Sequence, residues 1–324
     1  MAELGTDTFR AAGYLRSGQL VAIPTETVYG LAGNALDAVA VVQIFEAKQR
    51  PSFDPLIVHL RSSDELDRYA EEVPPLAQAL AAAFWPGPLT LVLPKKDIIP
   101  DLVSAGLPTA GFRVPAHALT LELLNALDFP LAAPSANPFG YISPTTALHV
   151  IDQLGEKVPY VLDGGACSIG LESTIVGFDE SRAVVYRLGG LSIERLRQIA
   201  PDLEVRIQGS SNPAAPGMLL SHYAPRKKMV LGELPVLMAE YASQKIAVLS
   251  FKNDYSAGAG VCAQEVLSAS GDLDEAALHL FAAMRRLDNS AADIILVEKV
   301  PDTGLGRAIN DRLQRAAFSE EEAK

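Results

Sequence analysis

"STIVGFDESRAVVYRLG", residues 173–189, decides which kind of α/β sheet this chain builds. "STIVGF" and "AVVYRLG" are strand-like runs, and only "DESR" separates them. Parallel neighbours need a connection of about a dozen residues or more, so these runs predict an antiparallel hairpin. Upstream, "PLIVHL" (55–60) and "LTLVLP" (89–94) read as short apolar strands, and "QLVAIPTETVYGLAG" (19–33) as a strand interrupted by Pro24. Between strands, "LDAVAVVQIFEAKQRP" (36–51) places Val41, Ile44, Phe45 and Lys48 in the i, i+3, i+4, i+7 relation of an amphipathic helix stopped by Pro51. Mixed strand directions with intervening helices predict an α/β, three-layer domain on a twisted mixed sheet rather than a purely doubly wound one.

The texture changes near residue 205. "RIQGSSNPAAPGMLLSHYAPRKK" (206–228) has little periodicity and many small or stiff residues, so it reads as a linker. Met218, Leu219, Leu220 and Tyr223 are too apolar for a purely solvated tether, which predicts a lid. Beyond it, "KIAVLSF", "DEAALHLFAAMRRLD", "ADIILVEKV" and "GRAINDRLQRAA" alternate strand and helix, predicting a smaller Rossmann-like parallel sheet. No GxGxxG marks a strand-to-helix turn there. The expected division is 1–205, a linker or lid over 206–229, and a C-terminal domain over 230–324.

Composition narrows the function classes. The 324 residues are 49% hydrophobic and 20% charged with a formal net charge of −12, which disfavours a broadly basic nucleic-acid surface. A local cationic pocket for a small anion remains compatible with that balance. No run of 18 apolar residues and no signal-like N-terminus is present, so the expected location is cytoplasmic, without membrane attachment. Cys167 and Cys262 lie far apart, and the five histidines show no HExxH or short-spaced pair, so no protein metal site is expected.

Several stretches carry chemistry. Lys48 and Arg50 close the helix over 36–51, where the helix dipole alone would favour a cation. Arg113 in "AGFRVPAH" and Arg187 in "VYRLGG" sit at strand segments, where arginine needs an anionic partner or an exposed face. In "PLAAPSANPFGYISPTT" (130–146) an apolar run gives way to Ser135, Asn137, Ser143, Thr145 and Thr146 among prolines. Ser135 is not in a GxSxG elbow, which disfavours a hydrolase nucleophile. "DGGACSIGLEST" (163–174) is glycine-rich without the Lys-Ser/Thr of a P-loop, and its Glu172 reads equally as a metal ligand or a helix cap.

"PTETVYGLAG", "KQRP…DPLIVH", "WPGPLTLVL", "GFRVPAH", "APSAN…SPT", "DGG…LESTIV" and "YRLGGLS" follow one another in the order of the YrdC-like family. The tail "HYAPRKK…GLGRAINDRLQRAA" resembles that family's long, two-domain form. The resemblance spans residues 10 to 317 and implies an enzyme that condenses L-threonine, bicarbonate and ATP, with Mg²⁺ on the nucleotide, into L-threonylcarbamoyladenylate and pyrophosphate. Threonylcarbamoyl transferase proteins would then move the group onto tRNA, with direct tRNA binding weak or indirect. Residue by residue it implies catalytic roles for Lys48, Arg50, Ser135 and Asn137. A threonine site of Thr27, His59, Arg113, Ser173 and the backbone near Ala133 follows in the same way. Arg50, Asp54, Thr109, Ser135, Ser143, Arg187 and, in the linker, His222 are implied as ATP contacts. Two departures stand out: Gln49 where glycine is frequent, expected to matter little, and Asp54 where Asn is frequent, whose carboxylate would repel a phosphate. The rival readings are an RNA-binding module, separable by a salt-dependent gel shift, and a related carbamoyl-transfer or nucleotide-hydrolysing enzyme, separable by which substrates release pyrophosphate.

Overall fold

Thr174–Asp179 pairs antiparallel with Arg182–Arg187, as the hairpin reading requires, with a bulge between Val185 and Arg187. The computed structural model describes residues 1–179, 182–207 and 222–318, which fall into two units. In the N-terminal unit the hairpin borders an eleven-stranded sheet, counted among the described residues. Its order is Glu3–Gly5, Tyr160–Leu162, Val21–Ile23, Gly30–Asn34, Leu131–Ala132, Ile57–His59, Thr109–Arg113, Leu89–Pro94, Thr174–Asp179, Arg182–Arg187, Glu204–Val205. Strand directions are mixed. Ile57–His59 is parallel to Thr109–Arg113, which is antiparallel to Leu89–Pro94, itself parallel to Thr174–Asp179.

Two local expectations need correction. Residues 19–33 are not one strand broken by Pro24: Val21–Ile23 and Gly30–Asn34 are separate strands that pair antiparallel. The reversal is closed by Thr25, whose hydroxyl oxygen accepts from the N–H groups of Thr27 and Val28 at 3.1 and 3.2 Å. The helix Ala38–Lys48 buries Val41, Ile44, Phe45 and Lys48 as its periodicity predicts, but it stops before Pro51. Gln49 takes the left-handed conformation, φ 55°, and the N–H of Arg50 bonds the Phe45 carbonyl at 2.9 Å. Asp37 caps the other end by accepting from Val39 N–H.

A core of Leu15, Val21, Ile23, Leu123, Leu131 and Tyr160 packs the helices Thr8–Arg16 and Ala118–Ala126 on the sheet. A smaller apolar cluster, Ile57, Val92 and Ile175, lies further along it.

The C-terminal unit holds a wholly parallel sheet in the order Lys228–Leu231, Ile294–Val297, Ile246–Ser250, Val261–Val266. Leu234 and Leu237 cover Ile246, Val248, Ile294 and Leu296. Two of its strands carry weak local signals: Lys228–Leu231 follows a basic run, and Val261–Val266 is largely half-buried. The unit also takes in residues 140–143 and 169–171, which a linear division at residue 205 assigns elsewhere. Residues 208–221 of the expected lid lie outside the described residues. No helix among the described residues is long and apolar enough to cross a membrane.

Candidate active site

Alternation along the strands gathers four of the predicted residues, His59, Thr109, Arg113 and Arg187, on one face of the large sheet. Thr109, Gly111 and Arg113 share a face of their strand, and the register sets Ile57 beside Gly111 and His59 beside Arg113. Val92 also pairs with Gly111, so the same face carries Thr90 and Val92. Ile175 pairs with both Thr90 and Arg187, which brings Arg187 to that face. The centre is apolar and holds a glycine, while the strand ends present His59, Arg113, Thr90 and Arg187. An apolar floor rimmed by donors suits an organic ligand with anionic ends.

Pairing fixes the rim. The Arg113 guanidinium donates to Glu26 Oε1 at 2.6 Å and to the Gly87 carbonyl at 3.2 Å. Glu26 is itself oriented by the Ala116 N–H, 3.0 Å from Oε2. Arg187 donates twice to the Ser173 carbonyl, at 2.9 and 3.1 Å, and once to its hydroxyl at 3.1 Å. Ser173 and Thr90 share a further bond of 2.8 Å between their hydroxyls. His59 Nδ1 lies 3.2 Å from the Ile57 carbonyl, and burial, with Arg113 beside it, pushes the imidazole down to about 3. It is neutral at pH 7, which preserves a hydrogen-bonding ring without adding a second cation.

The loops that border this face are held differently. Beyond Leu131–Ala132, the Ala133 N–H bonds the Ile57 carbonyl, the Pro134 carbonyl accepts from Leu31 N–H at 2.7 Å, and Ser135 bridges to Gly30. Lys48, 1% exposed, then places its ammonium between the carbonyls of Ser135 and Asn137 at 2.5 and 2.6 Å. Its own carbonyl accepts from Phe139 N–H at 2.8 Å. Burial holds the ammonium well below the usual lysine range and Arg50 lowers it further, while Asp54 draws it back. Arg50 grips the segment leading into Ile57–His59, through the Asp54 and Pro55 carbonyls, and pairs with the Asp54 carboxylate at 2.9 Å. Asp54 therefore meets a guanidinium inside the fold, which offsets the repulsion its charge would exert on a phosphate.

Ser143 and His222 belong to the C-terminal unit, where the Ser143 carbonyl accepts from Arg285 and the His222 ring packs edge-on against Tyr223 at 4.1 Å.

The family described as "Telomere recombination", which groups Sua5, YciO and YrdC, matches residues 13–189. The family described as "Threonylcarbamoyl-AMP synthase, C-terminal domain" matches residues 191–318. The chain belongs to the Sua5/YciO/YrdC family. A Pyrococcus abyssi threonylcarbamoyl-AMP synthase is 42% identical over 95% of this chain and 93% of its own. The Bacillus subtilis enzyme of that name is 39% identical over 95% and 92%. The crystal structure of P. abyssi Sua5 complexed with L-threonine matches with a TM-score of 0.92 at 38% identity, covering 98% of each chain. The chain is an enzyme of this type, and its mixed sheet and second parallel sheet are the Sua5 architecture.

Two buried side chains at this site are not among the residues whose roles the resemblance implied. Glu26 is the buried partner of Arg113, 87 positions away, and its only local mark is a carboxylate between two threonines ahead of an apolar run. Thr90 sits inside "LTLVLP" as one polar residue on an otherwise apolar strand, which is a weak signal that it faces something polar.

Proposed function

We propose that the chain makes L-threonylcarbamoyl-AMP on this sheet face and its bordering loops. The observation that supports it is a set of four buried cations, Arg113 and Arg187 on the sheet face and Lys48 and Arg50 on the loops that border it, in a chain whose net charge is −12. Glu26 and Asp54 answer two of these charges, and cations fixed in place with little water to screen them bind an anionic substrate strongly. Threonine's amine and bicarbonate form a carbamate with loss of water. A carbamate oxygen then attacks the α-phosphorus of ATP, and pyrophosphate leaves.

In this reading Thr27, His59, Arg113, Ser173 and the backbone at Ala133 hold threonine. Arg50, Thr109, Ser135, Ser143, Arg187 and His222 contact ATP, with Asp54 acting through Arg50. Lys48 and Asn137 complete the catalytic loop. The carbamate and the phosphates repel each other, so fixed cations that need no rearrangement as charge shifts lower the barrier. Mg²⁺ enters on the nucleotide phosphates and shields their charge; among the described residues no group of three His, Cys, Asp or Glu side chains forms a cage for it. The mixed anhydride hydrolyses in water, which gives the 206–229 segment a use as a cover and calls for transfer to the threonylcarbamoyl transferase proteins. Direct tRNA binding is weak or indirect, and the work is cytoplasmic.

Mass spectrometry of the product tests this. Threonylcarbamoyl-AMP and pyrophosphate should form only when ATP, L-threonine and bicarbonate are all present. Equal ATP turnover without threonine, or release of ADP and phosphate, would reject it.

A further inference from the structure

The side chains that surround Ser143 have no part in the chemistry above. Residues 140–143, "GYIS", belong to the C-terminal unit although the chain on both sides belongs to the N-terminal one. Arg285, 6% exposed, holds them: its guanidinium donates to the Ile142 carbonyl and, from Nε, to the Ser143 carbonyl at 3.3 Å. Tyr141 packs against the same guanidinium, 5.2 Å from ring centroid to Cζ, and its hydroxyl donates to Asp288 Oδ2 at 2.6 Å. Asp288 also accepts from Arg226 Nε at 2.8 Å and from Lys227 N–H at 3.1 Å. Arg285 and Asp288 lie three apart in the last turn of the helix Leu273–Asp288, and so project from one side of it.

A short connection does not require a buried arginine to span two consecutive carbonyls. Once the guanidinium is buried, losing either carbonyl would leave a donor without water to replace it, so the two bonds resist movement of this backbone. The residue whose carbonyl is held is Ser143, and the next residue, Pro144, has its φ fixed by its ring and its carbonyl bound by Tyr29 N–H at 2.8 Å. Ser143 is thus restrained from both directions.

We propose that Arg285 is a positioning residue for ATP. It sets the backbone at Ile142 and Ser143 and thereby the direction of the Ser143 hydroxyl, while Tyr141 and Asp288 keep the guanidinium in place. This rests on the assignment of Ser143 to ATP under the proposed function.

The test uses the full chain with Arg285→Ala, Arg285→Lys and Tyr141→Phe. ATP and L-threonine are titrated separately by calorimetry, and amide hydrogen exchange is followed in peptides covering residues 139–146. Arg285→Ala should weaken ATP binding about tenfold, the scale of one charge-assisted hydrogen bond, with threonine affinity within about twofold and faster exchange over 139–146. Arg285→Lys, able to reach one carbonyl, should recover part of the loss. Faster exchange with unchanged ATP affinity would overturn the proposal, and so would equal weakening of both ligands. If Arg285→Ala does not fold, Tyr141→Phe carries the comparison, with about threefold on ATP expected and no change overturning it. A wild-type protein that does not bind ATP defeats the parent reading, and that is known before any variant is made.

Discussion

Lys48 and Arg113 are both buried cations in the N-terminal unit, and they are balanced in opposite ways. Arg113 projects from a strand whose neighbours on both sides fix its backbone, and a carboxylate answers its charge. Lys48 closes a helix and answers no carboxylate directly; its ammonium is shared between two carbonyls of a loop that contains only short stretches of ladder. On the strand side, hydrogen-bonded backbone supplies rigidity and the ion pair orients one guanidinium. On the loop side the cation itself supplies the rigidity. A loop that must present Ser135 and Asn137 needs some substitute for a sheet, and a desolvated ammonium between carbonyls is a strong one.

The comparison can be broken from either side. Glu26→Gln should have the largest effect on stability. It leaves the Arg113 guanidinium buried beside a neutral amide, a change that costs about 3 kcal/mol or more when a buried pair is broken. Denaturant unfolding should show that loss, and added L-threonine should restore part of it. An unfolding midpoint equal to wild type would mean that Gly87 and solvent suffice for Arg113.

Lys48→Met keeps the length and apolar stem but removes both bonds to the loop carbonyls. We expect kcat/KM to fall about 100-fold, from two hydrogen bonds to a charged group, in a protein that remains folded. Steady-state kinetics beside a circular dichroism melt separates this from simple unfolding. Near-wild-type kinetics would show that the loop holds itself and that Lys48 merely ends a helix.

The smallest expected effect sharpens the comparison at the junction between the two sides. Gln49 adopts φ 55° between Lys48 and Arg50, a conformation that disfavours every side chain with a Cβ. Gln49→Gly should raise stability by up to about 1 kcal/mol without changing KM for ATP or threonine. A loss of activity in that variant would show that the strained turn itself aims Arg50.

Much of this was legible in advance. The helix 38–48 follows from apolar spacing, the hairpin at 173–189 from two strand-like runs with too short a join for a crossover, and the family from the order of its motifs. The reading of Gln49 as an inconsequential change passed over its backbone, because a left-handed φ leaves no periodic trace when glycine is not there to announce it. Leu131–Ala132 and Glu204–Val205 are two residues each, below the length at which alternation means anything. The inclusion of 140–143 in the C-terminal unit goes with contacts remote in sequence, among them those of Arg285, more than 140 positions away.

What the sequence determined by itself is therefore the longer helices and strands, the class of sheet and the kind of chemistry, since these rest on local spacing and on motif order. Only the tertiary structure decided which charge answers which: Glu26 with Arg113, Asp54 with Arg50, and the Ser135 and Asn137 carbonyls with Lys48. A side chain's type states that it needs a partner when buried, because desolvation is costly. Which partner it meets is set by strand register and loop path, and these are properties of the folded chain as a whole.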